Sequence, residues 1–321
     1  MSAGPSDPQS PDTADRYLGS LMGLAVGDAV GAAVEFQPPG SFTPLTDMVG
    51  GGPFKLRPGE WTDDTSMALC LAESLIERRG FHPHDQLTRY LRWYRTGHLS
   101  STGRCFDIGV TVGLALRRFE STGAAYCGST DPSTAGNGSL MRLAPVPLFY
   151  SREPWAAIEW SGESSRTTHA AQAAVDACRY FGALLAGAVS GASKEEILGT
   201  MYAPLGGYWE SHPLAPEVEE VARGSFRHRE PPQIVGSGYV VRSLEAALWA
   251  FHTTDTFAAG CLRAANLGND ADTTAAVYGQ LAGAFYGVRR IPSAWREQIA
   301  MRDLIERYAT SLYQLSRLDR P

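Results

Sequence analysis

The sequence predicts an all-α protein. Apolar residues recur at three- and four-residue spacing over most of the chain, and the alternation that marks strands is scarce. Two stretches, 63–79 and 271–286, carry complete helix start and stop signals.

Taken in order, the first helix covers about 16–34, where Gly19, Gly23, Gly27 and Gly31 fall on one face. Glycine inside a helix costs about 1 kcal/mol relative to alanine, so the stripe needs a close neighbour to offset it. The next helix, 63–79, has Thr62 as cap, Asp63 and Asp64 in its first turn, and Arg78-Arg79-Gly80 at its end, which suits the helix dipole. His82-Pro83-His84 reads as a helix-entry turn to 84–95 and matches no zinc spacing. Apolar spacing places further helices at 105–119, 138–150, 154–161, 168–188, 193–200, 215–223, 238–251 and 255–265. The helix 271–286 repeats the small-residue stripe at Ala271, Ala275, Gly279, Gly283 and Gly287, and a last helix covers 296–316. Packing of the two stripes would draw Asp28 and Glu35 toward Asp270 and Asp272. The proline- and glycine-rich stretch from Met201 to Ser237 reads as a loop-rich insertion. Residues 1–15, rich in Ser, Pro, Asp and Gly, read as a disordered tail, and 16–321 as a single domain.

Composition narrows the function classes. With 44% hydrophobic and 19% charged residues, the 321-residue chain has the make-up of a soluble globular enzyme. A net charge of −6 argues against general nucleic-acid binding but leaves room for a local anion pocket. Five widely spaced cysteines without a Cys-x-x-Cys fit buried thiols in a reducing compartment. No secretory signal pattern opens the chain, and the stretch from Tyr17 to Val34 reads as too short and too polar for a membrane span. Cytoplasmic residence, with no membrane partner, is the expectation.

Two acidic clusters carry the chemistry. Thr62-Asp63-Asp64-Thr65 and Asn269-Asp270-Ala271-Asp272-Thr273-Thr274 each open a helix, with four carboxylates, several hydroxyls and no nearby His or Cys. These are the ligands of a hard divalent cation. Either cluster alone can be a helix cap, yet two Asp side chains converging on one helix start repel each other unless a cation or proton separates them. Gly136-Asn137-Gly138 is either a plain turn or a cradle whose N–H groups hold a diphosphate ahead of the helix near Ser139. His169 reads equally well as a core residue or a site residue, and Asp107 as a cap for the helix that follows it.

Together, Gly27-Asp28-Ala29-Val30-Gly31 with Glu35, Gly59-Glu60-Trp61-Thr62-Asp63-Asp64-Thr65, Gly136-Asn137-Gly138-Ser139-Leu140-Met141-Arg142, Thr168-His169 and Asn269-Asp270-Ala271-Asp272-Thr273 resemble the ADP-ribosylglycohydrolases. The similarity spans roughly 16–290 in the right order. Cys105-Phe106-Asp107-Ile108-Gly109 and the helix from Gly238 to Phe251 make it most like the bacterial dinitrogenase-reductase-activating type.

The resemblance implies a compact all-α domain that holds two divalent cations, Mg2+ or Mn2+, at the base of an ADP-ribose cleft. It assigns the metal ligands to Thr62, Asp63, Asp64, Asp270, Asp272 and Thr273. Glu35 would sit beside the reacting ribose, and Asp107 would contact the guanidinium of the target. Catalysis would therefore rest on Glu35, Asp63, Asp64, Asp107 and Asp272. ADP-ribose would be held by Ser133, Thr134, Gly136, Asn137, Gly138 and His169. The implied reaction removes ADP-ribose from an acceptor, most naturally protein arginine, and releases free ADP-ribose. Serine, nucleobase and O-acetyl-ADP-ribose conjugates are the alternative substrates, and a non-catalytic crystallin-like member is the alternative class. All-α terpenoid synthases also use Asp pairs and magnesium, but Thr65-Ser66-Met67 lacks the further acid of their motif.

Overall fold

The computed structural model describes residues 11–318. Among these residues the fold is helical without a sheet, and its only β features are three isolated bridges. The helices are α1 (Thr13–Gly31), α2 (Asp63–Arg78), α3 (Pro83–Thr96), α4 (Val110–Thr122), α5 (Pro145–Phe149), α6 (Pro154–Arg166), α7 (Gln172–Val189), α8 (Lys194–Ile197), α9 (Tyr208–Ser211), α10 (Pro216–Ala222), α11 (Val240–His252), α12 (Phe257–Ala265), α13 (Ala271–Tyr286), α14 (Ser293–Gln298) and α15 (Arg302–Ser316). The expected tail 1–15 lies outside the described residues up to position 10. At its end Asp12 already caps α1 by accepting the Asp15 N–H at 2.8 Å, so residues 13–15 are helical.

α1 and α13 form the antiparallel centre, and their small residues dictate how close they come. A Cβ added at Gly23 would lie 2.2 Å from the Gly279 carbonyl oxygen, at Gly27 2.1 Å from that of Ala275, and at Gly31 2.4 Å from that of Ala271. Only bare backbone fits there, and the contact offsets the helix cost of the glycines. α1, extended by a turn to Val34, does pass for a membrane span by length and hydropathy, contrary to the sequence reading. Burial of 94% of that apolar window against the other helices makes it a core helix instead.

Several boundaries differ from expectation, each for a local reason. The helix expected at 105–119 starts at Val110, because Asp107 takes a left-handed backbone (φ 59°) and Gly109 becomes the cap residue. Asp107 is therefore not a helix cap. The helix expected at 138–150 shrinks to α5, since Pro145 and Pro147 remove two backbone donors and residues 138–142 settle into turns. α7 begins at Gln172 and not 168, which leaves Thr168 to Ala171 as a loop beside the cleft. The last expected helix breaks into α14 and α15 at a left-handed Met301 (φ 52°). Within the loop-rich insertion α9 adds a short helical piece, while α10 falls inside the helix expected at 215–223.

Candidate active site

Both acidic clusters open helices, and the α1–α13 contact brings those helix starts together. Asp28, on α1 and fully buried, is the first organiser. Its Oδ1 accepts the Thr62 N–H and hydroxyl, both at 2.9 Å, while Oδ2 accepts the Thr65 N–H at 3.0 Å and its hydroxyl at 2.6 Å. Asp28 thus caps α2 from outside, and Thr62, expected to do so, makes no capping bond with its own side chain.

Thr62 Oγ1 also lies 3.2 Å from Asp64 Oδ2 and 3.3 Å from Asp272 Oδ2. The single hydroxyl proton can therefore serve only one of the three acids. Thr273 Oγ1 reaches Asp64 Oδ2 at 3.4 Å, which ties the two helix starts to each other. Asp270 is held from across the cleft by the Asn137 side-chain amide at 2.5 Å, and Asn137 is itself fixed by the hydroxyl of Ser243 at 2.8 Å. Carboxylate oxygens of Glu35, Asp107 and Asp272 all lie within 4.8 Å of one another.

Electrostatics make this cluster unstable as bare carboxylates. Burial, followed by repulsion from the neighbouring acids, raises Glu35, Asp63, Asp64 and Asp272 far above the carboxylate range. Burial also lifts Asp107 to about 7 and Asp28 to about 6, the latter against four opposing hydrogen bonds. Among the described residues, no Lys or Arg pairs with any of these acids. Glu35 Oε2 and Asp64 Oδ1 are buried with no hydrogen-bond partner at all. An all-oxygen donor set with orphaned carboxylate oxygens and no counter-charge fits hard divalent cations.

Above the acids opens a cleft of about 650 Å³, within the roughly 300–1,000 Å³ typical of small-molecule sites. Its lining includes Glu35, Asp63, Asp107, Asp270, Asp272 and Thr273 on the floor, with Gly136, Asn137, Gly138 and His169 on one wall. Thr62 and Asp64 lie outside that lining, in contact with Asp272 and Thr273. Ser133 and Thr134, expected to touch the ligand, are also outside it: the Ser133 hydroxyl donates to Asp131 Oδ1 and that of Thr134 to the Asp131 carbonyl. The expected diphosphate cradle changes too. The Gly136 N–H donates to the Thr134 carbonyl at 2.8 Å and that of Asn137 to the Gly238 carbonyl at 3.0 Å, so neither donor is free for a phosphate.

A buried Arg142 builds this wall. Its guanidinium donates to the Gly138 carbonyl at 2.9 Å and to Thr168 Oγ1 at 2.7 Å, and it sits over the Tyr90 ring. Thr168 Oγ1, already accepting from Arg142, has its own proton to give to His169 Nδ1 at 2.8 Å. When Thr168 donates in that bond, the ring proton sits on Nε2. Burial and the nearby Arg142 push the His169 pKa down to about 3, so the imidazole that lines the cleft is neutral.

Ser237 and Gly238, from the stretch read only as loop or helix start, join the lining, as do Phe36, Val110 and Asn269. No periodicity marks Ser237 and Gly238; the pairing of Gly136 with Tyr239 and the hydrogen bonds of Asn137 to the Ser237 and Gly238 carbonyls bring that stretch to the cleft.

The fold and this site define an all-α enzyme with an acid-floored, nucleotide-sized cleft. The sequence profile of the ADP-ribosylglycohydrolase family matches residues 9–321, and the chain belongs to that family. Over 305 residues it is 41% identical to the ADP-ribosylarginine hydrolase Tri1 of Serratia proteamaculans, covering 95% of this chain and 81% of that protein. Against the ADP-ribosyl-[dinitrogen reductase] glycohydrolase of Rhodospirillum rubrum the identity is 32% over 319 residues, covering 96% and 99%. A solved structure titled an ADP-ribosylglycohydrolase-related protein complex superposes with a TM-score of 0.83 at 45% identity, covering 95% of this chain and 99% of that one. The family is metal-dependent, and the acidic cluster here can hold metal.

Proposed function

We propose that this protein hydrolyses ADP-ribosylated arginine on proteins, with two divalent cations, Mg2+ or Mn2+, at the acidic floor. The observation that carries the arginine assignment is Asp107, a carboxylate without a cationic partner that lines the cleft beside Glu35 and Asp272. A planar guanidinium offers paired N–H donors to such a group, a geometry that serine or an ester lacks. The names of the Serratia and Rhodospirillum relatives, an ADP-ribosylarginine hydrolase and a glycohydrolase of a modified protein, support the same reading.

The cations would be held by Thr62, Asp63, Asp64, Asp270, Asp272 and Thr273. Bound there, they supply positive charge and Lewis acidity to the ribose diol and the attacking water. The chain's own groups position the rest. In the reaction the C1″–N bond to the guanidinium breaks, a water oxygen adds to C1″, and the departing arginine leaves with its nitrogen protonated. With the cations' charge offsetting the repulsion of the neighbouring acids, Glu35, which has an unpartnered oxygen, would be ionised and would take up a proton from the water, and Asp107 would hold the leaving guanidinium. His169 donates from Nε2 to the ribose or diphosphate. ADP-ribose is the product. Five free cysteines, four of them buried, support a cytoplasmic location.

Asp107→Asn keeps the size and removes the charge. It should lower kcat/KM for an ADP-ribosylarginine conjugate by about 10²-fold, the loss of one charge-assisted hydrogen-bond pair, while metal affinity and ADP-ribose binding persist. Unchanged turnover of the arginine conjugate, or a wild-type preference for the serine conjugate, would overturn the acceptor assignment.

A further inference from the structure

The two most exposed large apolar side chains among the described residues, Val110 at 79% and Phe36 at 63%, both line the acidic cleft. Neither is surplus surface scattered by chance. Phe36 follows Glu35 directly and takes a left-handed backbone (φ 60°), rare for a bulky residue. It is held by its N–H donating to the Asn269 carbonyl at 2.6 Å, while the Asn269 N–H donates to the Gln37 carbonyl at 2.7 Å. Asn269 is left-handed as well (φ 53°), so the two segments that carry Glu35 and Asp270 lock each other in place.

The Phe36 ring then stands edge-on to Phe54 at 6.4 Å, and Phe54 packs on Phe106 at 5.1 Å. Phe106 precedes Asp107, the residue assigned to the guanidinium. Three separate loops thus meet in one aromatic cluster, of which Phe36 lines the cleft. Exposed apolar groups gathered at the mouth of a polar cleft mark a surface meant to be covered. The acidic floor, free of Lys and Arg, selects a cationic group, and these apolar groups select what is attached to it. Resting on the arginine reading above, we infer that Phe36 and Val110 form an acceptor platform that receives an apolar side chain next to the modified arginine of a protein substrate. Phe54 and Phe106 support the Phe36 ring from behind. The platform makes the enzyme favour arginines in apolar surroundings over the free amino-acid conjugate.

The test uses two synthetic peptides, each with one ADP-ribosylated arginine, flanked on both sides by leucine in one and by serine in the other. The full-length protein with Mg2+ should prefer the leucine-flanked peptide in kcat/KM by about fivefold to tenfold, through KM, the effect of partly burying one apolar side chain. Phe36→Ala and Val110→Ser should each shrink that preference to within about twofold; Val110→Ser, at an exposed position, carries the test even if the other variant misfolds. Equal cleavage of both peptides by the wild type overturns the platform and leaves the arginine reading standing. Cleavage of neither overturns the arginine reading and the platform with it. Loss of affinity for free ADP-ribose in Phe36→Ala assigns the ring to the nucleotide and also overturns the platform.

Discussion

Replacing Gly27 with alanine tests how the site is assembled. A Cβ there would sit 2.1 Å from the Ala275 carbonyl oxygen and 2.5 Å from its carbon, where ordinary contact begins at 3.4 Å. The difference, 3.4 − 2.1, requires α1 and α13 to part by about 1.3 Å at this point, and both obstacles are backbone that cannot rotate away. Overpacking of this kind costs roughly 3 kcal/mol, against about 1 kcal/mol gained in helix propensity, for a net loss of about 2 kcal/mol. In a chain of this length that lowers Tm by about 3 °C. Asp28 is the next residue, so the same displacement moves the group that sets the start of α2. A misplacement near 1 Å costs about 10²-fold in rate. The assay pairs thermal melting with hydrolysis of an ADP-ribosylarginine conjugate. Gly113→Ala on α4 is the control, because its Cβ would meet only side-chain ends at ordinary contact distance, Arg117 at 3.4 Å and Ile108 at 3.9 Å, and should leave stability equal or higher. A Gly27→Ala protein as stable and as active as wild type would refute the close-contact account.

Asp63→Ala and Asp270→Ala should each abolish turnover yet keep the helical circular dichroism, since each removes a carboxylate from a mutually repelling set. Without metal, both variants should melt at or above the wild-type temperature, and a large drop would mean that these acids are structural. ADP-ribose should raise Tm further with Mn2+ present than without it, because ribose and metal share one floor; equal shifts would separate the two sites. For the metal-free protein, burial holds Asp28 near 6 and Asp107 near 7, so the folded state keeps protons that the unfolded chain releases above about pH 4. The stability this contributes is fully present below about pH 4 and is lost as pH rises through 6 to 7; saturating Mg2+ should flatten the decline, and denaturant titrations at fixed pH would show it.

The central pair of helices was legible because its information is local: glycine and alanine every four residues predict a bare helix face, and two such faces predict a contact. The acidic clusters were legible for the same reason, as carboxylates crowded at helix starts with no basic partner nearby in sequence. Asp28 could be placed near the site but not given its work, since capping another helix is a tertiary bond. Asp107 sits in a left-handed turn that apolar spacing cannot register, and the run from Ser139 to Leu143 looks helical until the prolines after it are counted as lost donors. Phe36, Val110 and Ser237 gain meaning only from the cleft they line. In the Gly136-Asn137-Gly138 loop, the sequence could not show that the Gly136 and Asn137 N–H groups have intramolecular acceptors, the carbonyls of Thr134 and Gly238, the second about a hundred residues away.

The most direct measurement is release of free ADP-ribose from a protein ADP-ribosylated on arginine, followed while the divalent cation is removed by chelation and then restored. The account predicts turnover with Mg2+ or Mn2+, loss of about 10³-fold or more on chelation, and recovery on adding either ion back, the scale expected when a site loses its Lewis acid. Full turnover in the thoroughly chelated protein, or no ADP-ribose released at any metal concentration, would contradict it.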